Sequence, residues 1–333
     1  MSSRLFAVGL SGPALVPEER KALEAFPAWG VILFRRNLES LELLGRLVDD
    51  LRGLGIVHLL LDQEGGPVDR LRDLVAPGPS LRTAARQRTA RRAGAAAGAM
   101  LARLGFDVDL APVVDRAVAG AGSQILGERC ASSNPEEIVR AAGGFLEGLH
   151  SQGVGGCLKH FPGLGRASLD THVSLPVVPD DEAQTALDLE PFARLMDRAR
   201  AIMVSHAAGN DGVPASLSPS VATRLLRGRL GFSGAAFSDD LEMGALESFG
   251  DLPERCVRAS AAGCDLLLVC RRIEVYPDCV RAVVTGVRPA RRAEAAERLR
   301  AYERHLESLK SEAGPQELAL AAIRAELRSL SAV

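Results

Sequence analysis

Short apolar runs alternate with helical segments along most of this chain, and that alternation limits its fold more than any other feature. Eight apolar runs are predicted strands, and a segment with apolar residues at helical spacing follows nearly every one of them. The runs lack the polar–apolar alternation of half-exposed strands, which is typical of parallel strands covered on both faces. The predicted strands are Leu5–Leu10, Gly30–Phe34, His58–Asp62, Val108–Val114, Gly156–His160, Ala201–Ser205, Gly234–Ser238 and Asp265–Cys270.

Eight strand–helix units in 333 residues predict an α/β fold of the (β/α)8 TIM-barrel type. An open doubly wound sheet is the alternative, but no G-x-G-x-x-G turn follows the first strand. The predicted helices are Pro17–Phe26, Ser40–Leu54, Arg82–Leu104, Pro135–His150, Gln184–Arg200, Ser218–Leu230, Met243–Ala262 and Val275–Val284.

We expect residues 1–333 to form a single domain, because no low-complexity linker interrupts the chain. The barrel would occupy about residues 1–288. Residues from about 289 to 333 are predicted to form two charged amphipathic helices, split at Gly314-Pro315 and packed on the barrel as an appendage.

Composition and charge exclude several classes of partner. The net charge is −2 and no basic stripe is interleaved with aromatic residues, so nucleic acid is not an expected partner. No run of about 18 apolar residues is present, so no membrane span is expected. Gly9, Gly12 and Pro13 break the first apolar run, which favours a strand over a signal peptide. The six cysteines form no C-x-x-C pair, which favours free thiols and a cytoplasmic location.

Titratable side chains stand where the predicted strands end. Barrel active sites lie at the carboxyl ends of the strands, so these side chains should meet at one mouth. Exposure of strand ends would explain a single polar residue such as Asp115 or Arg271, but explains pairs on three consecutive strands less well. The residues are Asp62, Glu64, Asp69, Arg70, Asp115, Lys159, His160, Ser205, His206, Asp239, Asp240 and Arg271.

The stretch Gly156–Val173 contains the highest concentration of candidate functional residues. Its apolar start delivers Lys159 and His160 at a strand end, and a Pro-Gly turn then opens a polar loop. The loop ends in Asp170 and His172, two residues apart. A carboxylate at that spacing can orient an imidazole for proton transfer, although an isolated D-x-H is more often an ordinary solvated loop.

Longer motifs resolve that ambiguity, because the chain resembles the family-three glycoside hydrolases. Within that family it is most similar to the single-domain bacterial β-N-acetylglucosaminidases of peptidoglycan recycling. The matching motifs lie in order over about the first 270 residues. They are GVILFRRN (Gly30–Asn37), LDQEGGPVDR (Leu61–Arg70), LAPVVD (Leu110–Asp115), GER (Gly127–Arg129), KHFPGLGRASLDTH (Lys159–His172), FSDDLEM (Phe237–Met243) and AGCDLLLVC (Ala262–Cys270).

The resemblance implies a role for each matched residue. Asp239 corresponds to the catalytic nucleophile, His172 to the general acid/base and Asp170 to its dyad partner. The residues that correspond to those holding the non-reducing-end sugar are Asp62, Arg70, Arg129, Lys159 and His160. A retaining glycosidase needs a carboxylate that attacks the anomeric carbon and a group that protonates the leaving oxygen, and these residue types suit both tasks.

The activity implied by the resemblance is that of a retaining exo-β-N-acetylglucosaminidase. It would release non-reducing-terminal N-acetylglucosamine from peptidoglycan fragments or related oligosaccharides through a covalent glycosyl-aspartate. The expected partner is a small oligosaccharide or muropeptide, no cofactor or metal is implied, and a monomer is favoured.

Three positions depart from the family pattern. Pro67 replaces an arginine, which would remove a polar contact near the sugar. Leu164 replaces a histidine, which would alter the packing of the loop. Cys130 and Ala131 replace a serine and an aromatic residue, which would open one wall of the site. We expect these changes to affect the range of substrates rather than the reaction.

Several other functions are also consistent with this sequence. The chain could be a family-three β-glycosidase of other specificity, or a phosphorylase that uses phosphate in place of water. It could also be a metal-dependent barrel hydrolase whose ligands are His160, His172, His206 and Asp239. A sugar-binding protein without turnover is a further alternative, and Asp240 could replace Asp239 as the nucleophile.

Overall fold

A sheet of parallel strands that returns on itself forms the centre of the molecule. The computed structural model describes residues 2–118, 126–167, 175–178, 181–313 and 319–332. The strands are β1 (Phe6–Gly9), β2 (Gly30–Leu33), β3 (His58–Leu61), β4 (Gln63–Gly65), β5 (Val68–Asp69), β6 (Val108–Asp109), β7 (Gly155–Gly156), β8 (Leu158–Phe161), β9 (Ala201–Val204), β10 (Ala235–Asp240) and β11 (Leu266–Val269).

The pairing order closes this sheet into a barrel. The strands pair in the order β7-β6-β3-β2-β1-β11-β10-β9-β8, and every neighbouring pair is parallel. Strands β7 and β8 are consecutive parts of one extended segment, residues 155–161, so the two ends of the order meet. The strand residues Val31, Leu60 and Leu267 are completely buried, as parallel strands covered by helices require. The predicted (β/α)8 barrel is confirmed.

Helices surround the barrel between successive strands. They are α1 (Pro17–Ala25), α2 (Leu41–Gly53), α3 (Leu81–Arg86), α4 (Ala90–Arg103), α5 (Pro135–His150), α6 (Glu182–Ala199), a π-helix (Ser220–Arg229), α7 (Leu252–Ala262), α8 (Tyr276–Gly286), α9 (Pro289–Ala313) and α10 (Leu320–Ser331). None of the helices in the described part of the chain combines the length and the apolar character that crossing a bilayer requires.

Several predicted elements are divided or shortened. The predicted helix Arg82–Leu104 is two helices, because Arg88 adopts a left-handed conformation with φ of 56°. The predicted helix Met243–Ala262 is a 3-10 turn followed by α7, with Gly250 at φ 108° between them. The predicted strand Val108–Val114 keeps only two strand residues and one isolated bridge, from Val113 to Lys159.

The C-terminal helices pack on the barrel through buried apolar residues. In α9, Leu299, Tyr302 and Leu306 are buried, and the Tyr302 hydroxyl donates a 3.2 Å hydrogen bond to the Gly156 carbonyl in β7. Helix α10 lies against α4, where Arg92 binds Glu326 through two hydrogen bonds of 3.0 and 3.1 Å. The two helices were predicted, while the Gly314-Pro315 break between them lies outside the described residues.

Candidate active site

The carboxyl ends of the barrel strands surround a cavity of about 400 Å³. Asp239 and all five residues expected to hold the sugar line this cavity, and so do Glu64, Asp240 and Arg271, so the predicted convergence at one mouth is confirmed for these residues. The other four residues at strand ends are buried outside the described lining; they are Asp69, Asp115, Ser205 and His206. Asp170 and His172 lie outside the described residues. The charged and histidine residues of the lining are Arg35, Arg36, Asp62, Glu64, Arg70, Arg129, Lys159, His160, Asp239, Asp240 and Arg271.

Lys159 is the buried cation at the centre of this group. It lies in β8, its side chain is only 2% exposed, and its Nζ is 2.7 Å from Asp62 Oδ1 and 2.6 Å from Glu64 Oε1. Burial alone would lower the pKa of Lys159, but the two carboxylates outweigh it and raise the pKa above its ordinary value. Lys159 is therefore charged, and two of its three N–H groups are occupied by protein oxygens.

Glu64 is a member of the network that sequence reasoning did not assign. Arg129 binds it in the bidentate manner, with Nε 2.8 Å from Oε2 and Nη2 2.9 Å from Oε1. Burial would raise the pKa of Glu64, but Lys159 and Arg129 hold it well below its usual range. Glu64 thus orients two groups expected to contact the sugar, whereas the sequence showed only that it stands near a strand end and inside a motif of the family.

The position of His160 is fixed from both ring nitrogens. Its Nε2 is 3.2 Å from Arg129 Nη2, and its Nδ1 is 2.7 Å from Asp115 Oδ2. Because a guanidinium can only donate, Nε2 is the acceptor and Nδ1 carries the proton that it donates to Asp115. Asp115 also accepts the backbone N–H groups of His160 and Leu164, at 3.2 and 2.8 Å.

Asp115 is therefore more than a polar residue at an exposed strand end, because it holds the His160 ring in place. It is 1% exposed and joins the His160 ring to the start of the polar loop. Sequence reasoning missed this role, because the contact joins residues 45 positions apart.

Asp239 and Asp240 follow one another at the end of β10 but differ in their electrostatic surroundings. Burial would raise the pKa of Asp239, yet His206, His160, the Asp240 N–H and Lys159 together lower it below its usual value. Burial raises the pKa of Asp240 to about 6, assisted by the negative charges of Glu242 and Asp239. The Asp240 N–H donates a 2.8 Å hydrogen bond to Asp239 Oδ1. Asp239 is therefore ionised well below neutral pH, whereas Asp240 binds a proton once the pH falls to about 6.

His206 holds the end of β10 in place through a hydrogen bond to its backbone. It is fully buried, with Nδ1 2.7 Å from Ser216 Oγ and Nε2 2.8 Å from the Asp240 carbonyl oxygen. A carbonyl oxygen only accepts, so Nε2 donates to it and both ring nitrogens have protein partners.

A short antiparallel hairpin, β4–β5, delivers Arg70 to the cavity. The Gln63 side chain donates to Asp69 Oδ1 at 2.7 Å and accepts the backbone N–H groups of Arg70 and Leu71 at 3.0 and 3.1 Å. Gly65 adopts φ of 79°, and a Cβ there would lie 2.1 Å from the Pro79 carbonyl oxygen. This hairpin was not predicted, because its strands are too short and polar to show a periodic pattern.

The three departures from the family pattern lie in different surroundings. Leu164 lines the cavity and packs in a small apolar cluster with Val113, Leu126, Cys130 and other residues. Cys130 is completely buried in that cluster, Ala131 is also buried, and neither lines the cavity, so an opened wall at these positions stays a prediction. Pro67 is exposed between the hairpin strands and is also absent from the described cavity lining.

Comparison with known proteins gives the family of the chain. The sequence profile of the glycosyl hydrolase family 3 N-terminal domain matches residues 13–301. The chain belongs to glycosyl hydrolase family 3. The chain is therefore a glycoside hydrolase with a barrel fold, and its cavity lies at the carboxyl ends of the strands.

Relatives in this family cover most of the chain. A beta-hexosaminidase of Idiomarina loihiensis is 37% identical over 277 residues, which are 79% of this chain and 82% of the relative. A beta-hexosaminidase of Alkalilimnicola ehrlichii is 39% identical over 292 residues, 82% of each chain.

Solved structures of family-3 proteins share the fold. A family-3 β-N-acetylglucosaminidase of a Paenibacillus species superimposes with a TM-score of 0.88 at 27% identity, covering 99% of this chain and 68% of that one. NagZ of Neisseria gonorrhoeae, solved with N-trifluoroacetyl-D-glucosamine, gives a TM-score of 0.84 at 26% identity, covering 99% and 98% of the two chains.

Proposed function

We propose that this family-3 enzyme is a retaining exo-β-N-acetylglucosaminidase that acts through a covalent glycosyl-aspartate on Asp239. The observation that carries the proposal is an ionised Asp239 facing the same cavity as the Lys159–Asp62–Glu64–Arg129 network. A nucleophilic carboxylate must be deprotonated, and a sugar needs fixed polar groups around its hydroxyls. The cavity supplies both.

The proposed reaction has two steps. Asp239 attacks the anomeric carbon while His172 gives its proton to the leaving oxygen, so the glycosidic bond breaks as the ester bond forms. His172, oriented by Asp170, then takes a proton from water, which displaces Asp239 and releases the sugar with its original anomeric configuration. Both His172 and Asp170 enter this scheme from the family motif.

The sugar-binding proposal follows from groups that still have donors or acceptors toward the cavity. Lys159 has a third N–H beyond its bonds to Asp62 and Glu64. Asp62 is partly exposed and accepts from Lys159 through one oxygen, while its second oxygen is 3.9 Å from Arg70 Nη2. These groups are held by ion pairs before substrate binds, so little reorganisation would be needed at the transition state.

N-acetylglucosamine at the non-reducing end of a peptidoglycan fragment is the proposed substrate. Support comes from the beta-hexosaminidase names of the relatives and from the N-acylated glucosamine bound to the Neisseria protein. The mouth also carries Arg35 and Arg271, both exposed, which would suit an anionic aglycone such as a muropeptide.

We extend the proposal to the whole chain. A single domain over residues 1–333 is supported by the packing of α9 and α10 on the barrel. A cytoplasmic location is supported by six buried free cysteines, which suit a reducing compartment.

An activity panel tests the function. The enzyme should hydrolyse 4-nitrophenyl N-acetyl-β-glucosaminide much faster than the glucoside, xyloside or N-acetylgalactosaminide, and proton NMR of early product should show the β-anomer. Preference for an unacetylated sugar, or an initial α-anomer, would contradict the proposal.

The same assay separates the alternatives. A metal-dependent hydrolase would lose activity in a chelator, and within the described ranges no group of three potential ligands has a geometry suited to a metal ion. A phosphorylase would form a sugar phosphate when phosphate is added, whereas the proposed hydrolase should give the free sugar with or without it. A binding protein would show no turnover.

A further inference from the structure

A second charged cavity lies at the opposite end of the barrel from the mouth. Its volume is about 320 Å³, and it is enclosed by the π-helix, the end of α7 and the start of α9. It borders Asp265, which precedes β11, whereas Cys270 of the active-site mouth follows that strand. Five residues of extended strand separate the two ends by roughly 16 Å. The arginines that line it are Arg224, Arg227, Arg288, Arg291 and Arg298.

The carboxylates at this cavity are too few to balance the arginines. Asp265, which is fully buried, binds Arg227 at 2.6 Å, Arg291 at 2.8 Å and Arg298 at 3.2 Å. Glu294 is the acidic residue of the described lining, and it lies 3.9 to 4.0 Å from Arg291 and Arg298. Two carboxylates thus face five guanidinium groups, which leaves an excess of about three positive charges in one concave surface.

Several guanidinium N–H groups at this cavity have no hydrogen-bond acceptor among the described residues. Arg291 Nη1 and Arg227 Nε form no hydrogen bond. The Arg288 side chain is exposed, and its guanidinium takes part in no hydrogen bond or ion pair within the described part of the chain. Burial and the charges of Arg298 and Arg291 lower the pKa of Arg227 despite its pairing with Asp265. The cluster is therefore short of anionic acceptors.

We propose that this arginine cavity binds a small phosphate-bearing anion that bridges the π-helix and α9. Guanidinium groups match the geometry of phosphate oxygens with paired N–H donors. The cavity also lies at the beginning of α9, where the free backbone N–H groups and the helix dipole favour an anion. Bound phosphate would give the exposed Arg224 and Arg288 side chains an acceptor and would offset the excess positive charge around the buried Arg227 and Arg291, which would strengthen the attachment of α9 to the barrel.

Thermal unfolding of the full chain tests the proposal. Inorganic phosphate, pyrophosphate and glucose 6-phosphate are titrated at pH 7.5 and constant ionic strength, with chloride as the reference. The melting temperature should rise with saturation, because a ligand that binds only the folded state stabilises it in proportion to ln(1 + [L]/Kd). A response to inorganic phosphate assigns free phosphate, and a response to the sugar phosphate alone assigns a phosphate ester.

Matched variants separate this cavity from the active site. Arg224→Gln combined with Arg288→Gln removes two exposed donors and should weaken phosphate binding by about tenfold or more while leaving hydrolysis unchanged. Arg229→Gln, on the same π-helix but outside the cavity lining, should keep wild-type binding. The proposal is overturned if none of the three phosphate compounds gives a saturable shift beyond chloride, or if the double variant responds to them as strongly as the Arg229 variant.

Discussion

The two ends of the barrel use buried charge in opposite ways. At the mouth, the cations Lys159 and Arg129 are matched by the carboxylates Asp62 and Glu64 at 2.6 to 2.9 Å. At the opposite end of the barrel, called the base here, three arginines of the arginine cavity share the single carboxylate of Asp265. A matched network holds its side chains in place before a ligand arrives, whereas an unmatched cluster requires a counter-ion from outside. Under the two proposals, the mouth is prearranged for a neutral sugar and the opposite end of the barrel binds an anion.

The largest expected effect follows from removing the proposed nucleophile, Asp239. Asp239→Asn should reduce kcat by roughly 10⁴-fold or more, because an amide cannot form the glycosyl ester. Asp240→Asn is the matched control, since its carboxyl has a pKa of about 6 and already binds a proton more readily. Steady-state kinetics on 4-nitrophenyl N-acetyl-β-glucosaminide measures both. A larger loss of kcat in Asp240→Asn than in Asp239→Asn would identify Asp240 as the nucleophile.

Removing the proposed proton donor should give a loss that depends on the leaving group. His172→Ala should lower activity on a natural disaccharide by roughly 10²–10⁴-fold, while a nitrophenyl glycoside, whose leaving group needs no proton, should lose far less. Asp170→Asn should show the same preference more weakly. Equal losses on both substrates would indicate a folding or binding defect.

Breaking charge balance should affect stability differently at the two ends. Lys159→Met leaves Asp62 and Glu64 without their shared cation and should lower the free energy of unfolding by about 3–5 kcal/mol. Arg298→Gln leaves Asp265 paired with Arg227 and Arg291, so without phosphate it should lower the free energy of unfolding by only about 1 kcal/mol or less. Urea unfolding of both variants gives the values, with exposed Lys21→Met as a surface control. If Lys159→Met and Arg298→Gln lowered the free energy of unfolding equally, the proposed difference between the two ends of the barrel would be contradicted.

The last expected effect appears only in acid, at the end of the barrel opposite the mouth, where His150 and His305 meet with ring centroids 5.4 Å apart. Burial, with the charges of His305 and Arg198, lowers the pKa of His150 to about 3 from 6.5. Between those pH values the unfolded chain binds a proton that the folded chain does not, so this group removes stability as pH falls below 6.5. His150→Leu should therefore flatten the decline in melting temperature toward pH 4. An unchanged decline would show that other groups cause it.

The sequence predicted the barrel and most of the mouth because both depend on local patterns. Apolar runs mark the strands, and Lys159, His160 and Asp239 stand at their ends, where a barrel collects them. Glu64 and Asp115 were not assigned, because their importance comes from pairing with residues distant in sequence.

Other features left little signal in the sequence. The left-handed conformation of Arg88, which divides one predicted helix, belongs to a residue type that rarely adopts it. The base cavity joins Arg224 and Arg227 to Arg288, Arg291 and Arg298, some 60 residues later. Helical spacing aligns the members of each set, but only the fold brings the two sets together.

Trapping of the covalent intermediate tests the central claim most directly. A slow 2-fluoro or 5-fluoro analogue of an N-acetylglucosaminide should inactivate the enzyme with a stoichiometry of one, and tandem mass spectrometry of the digest should place the added mass on Asp239. The peptide containing Phe237–Met243 should carry the label, and Asp239→Asn should carry none. A label on any other residue, or turnover that inverts the anomeric configuration without a trapped species, would contradict the account.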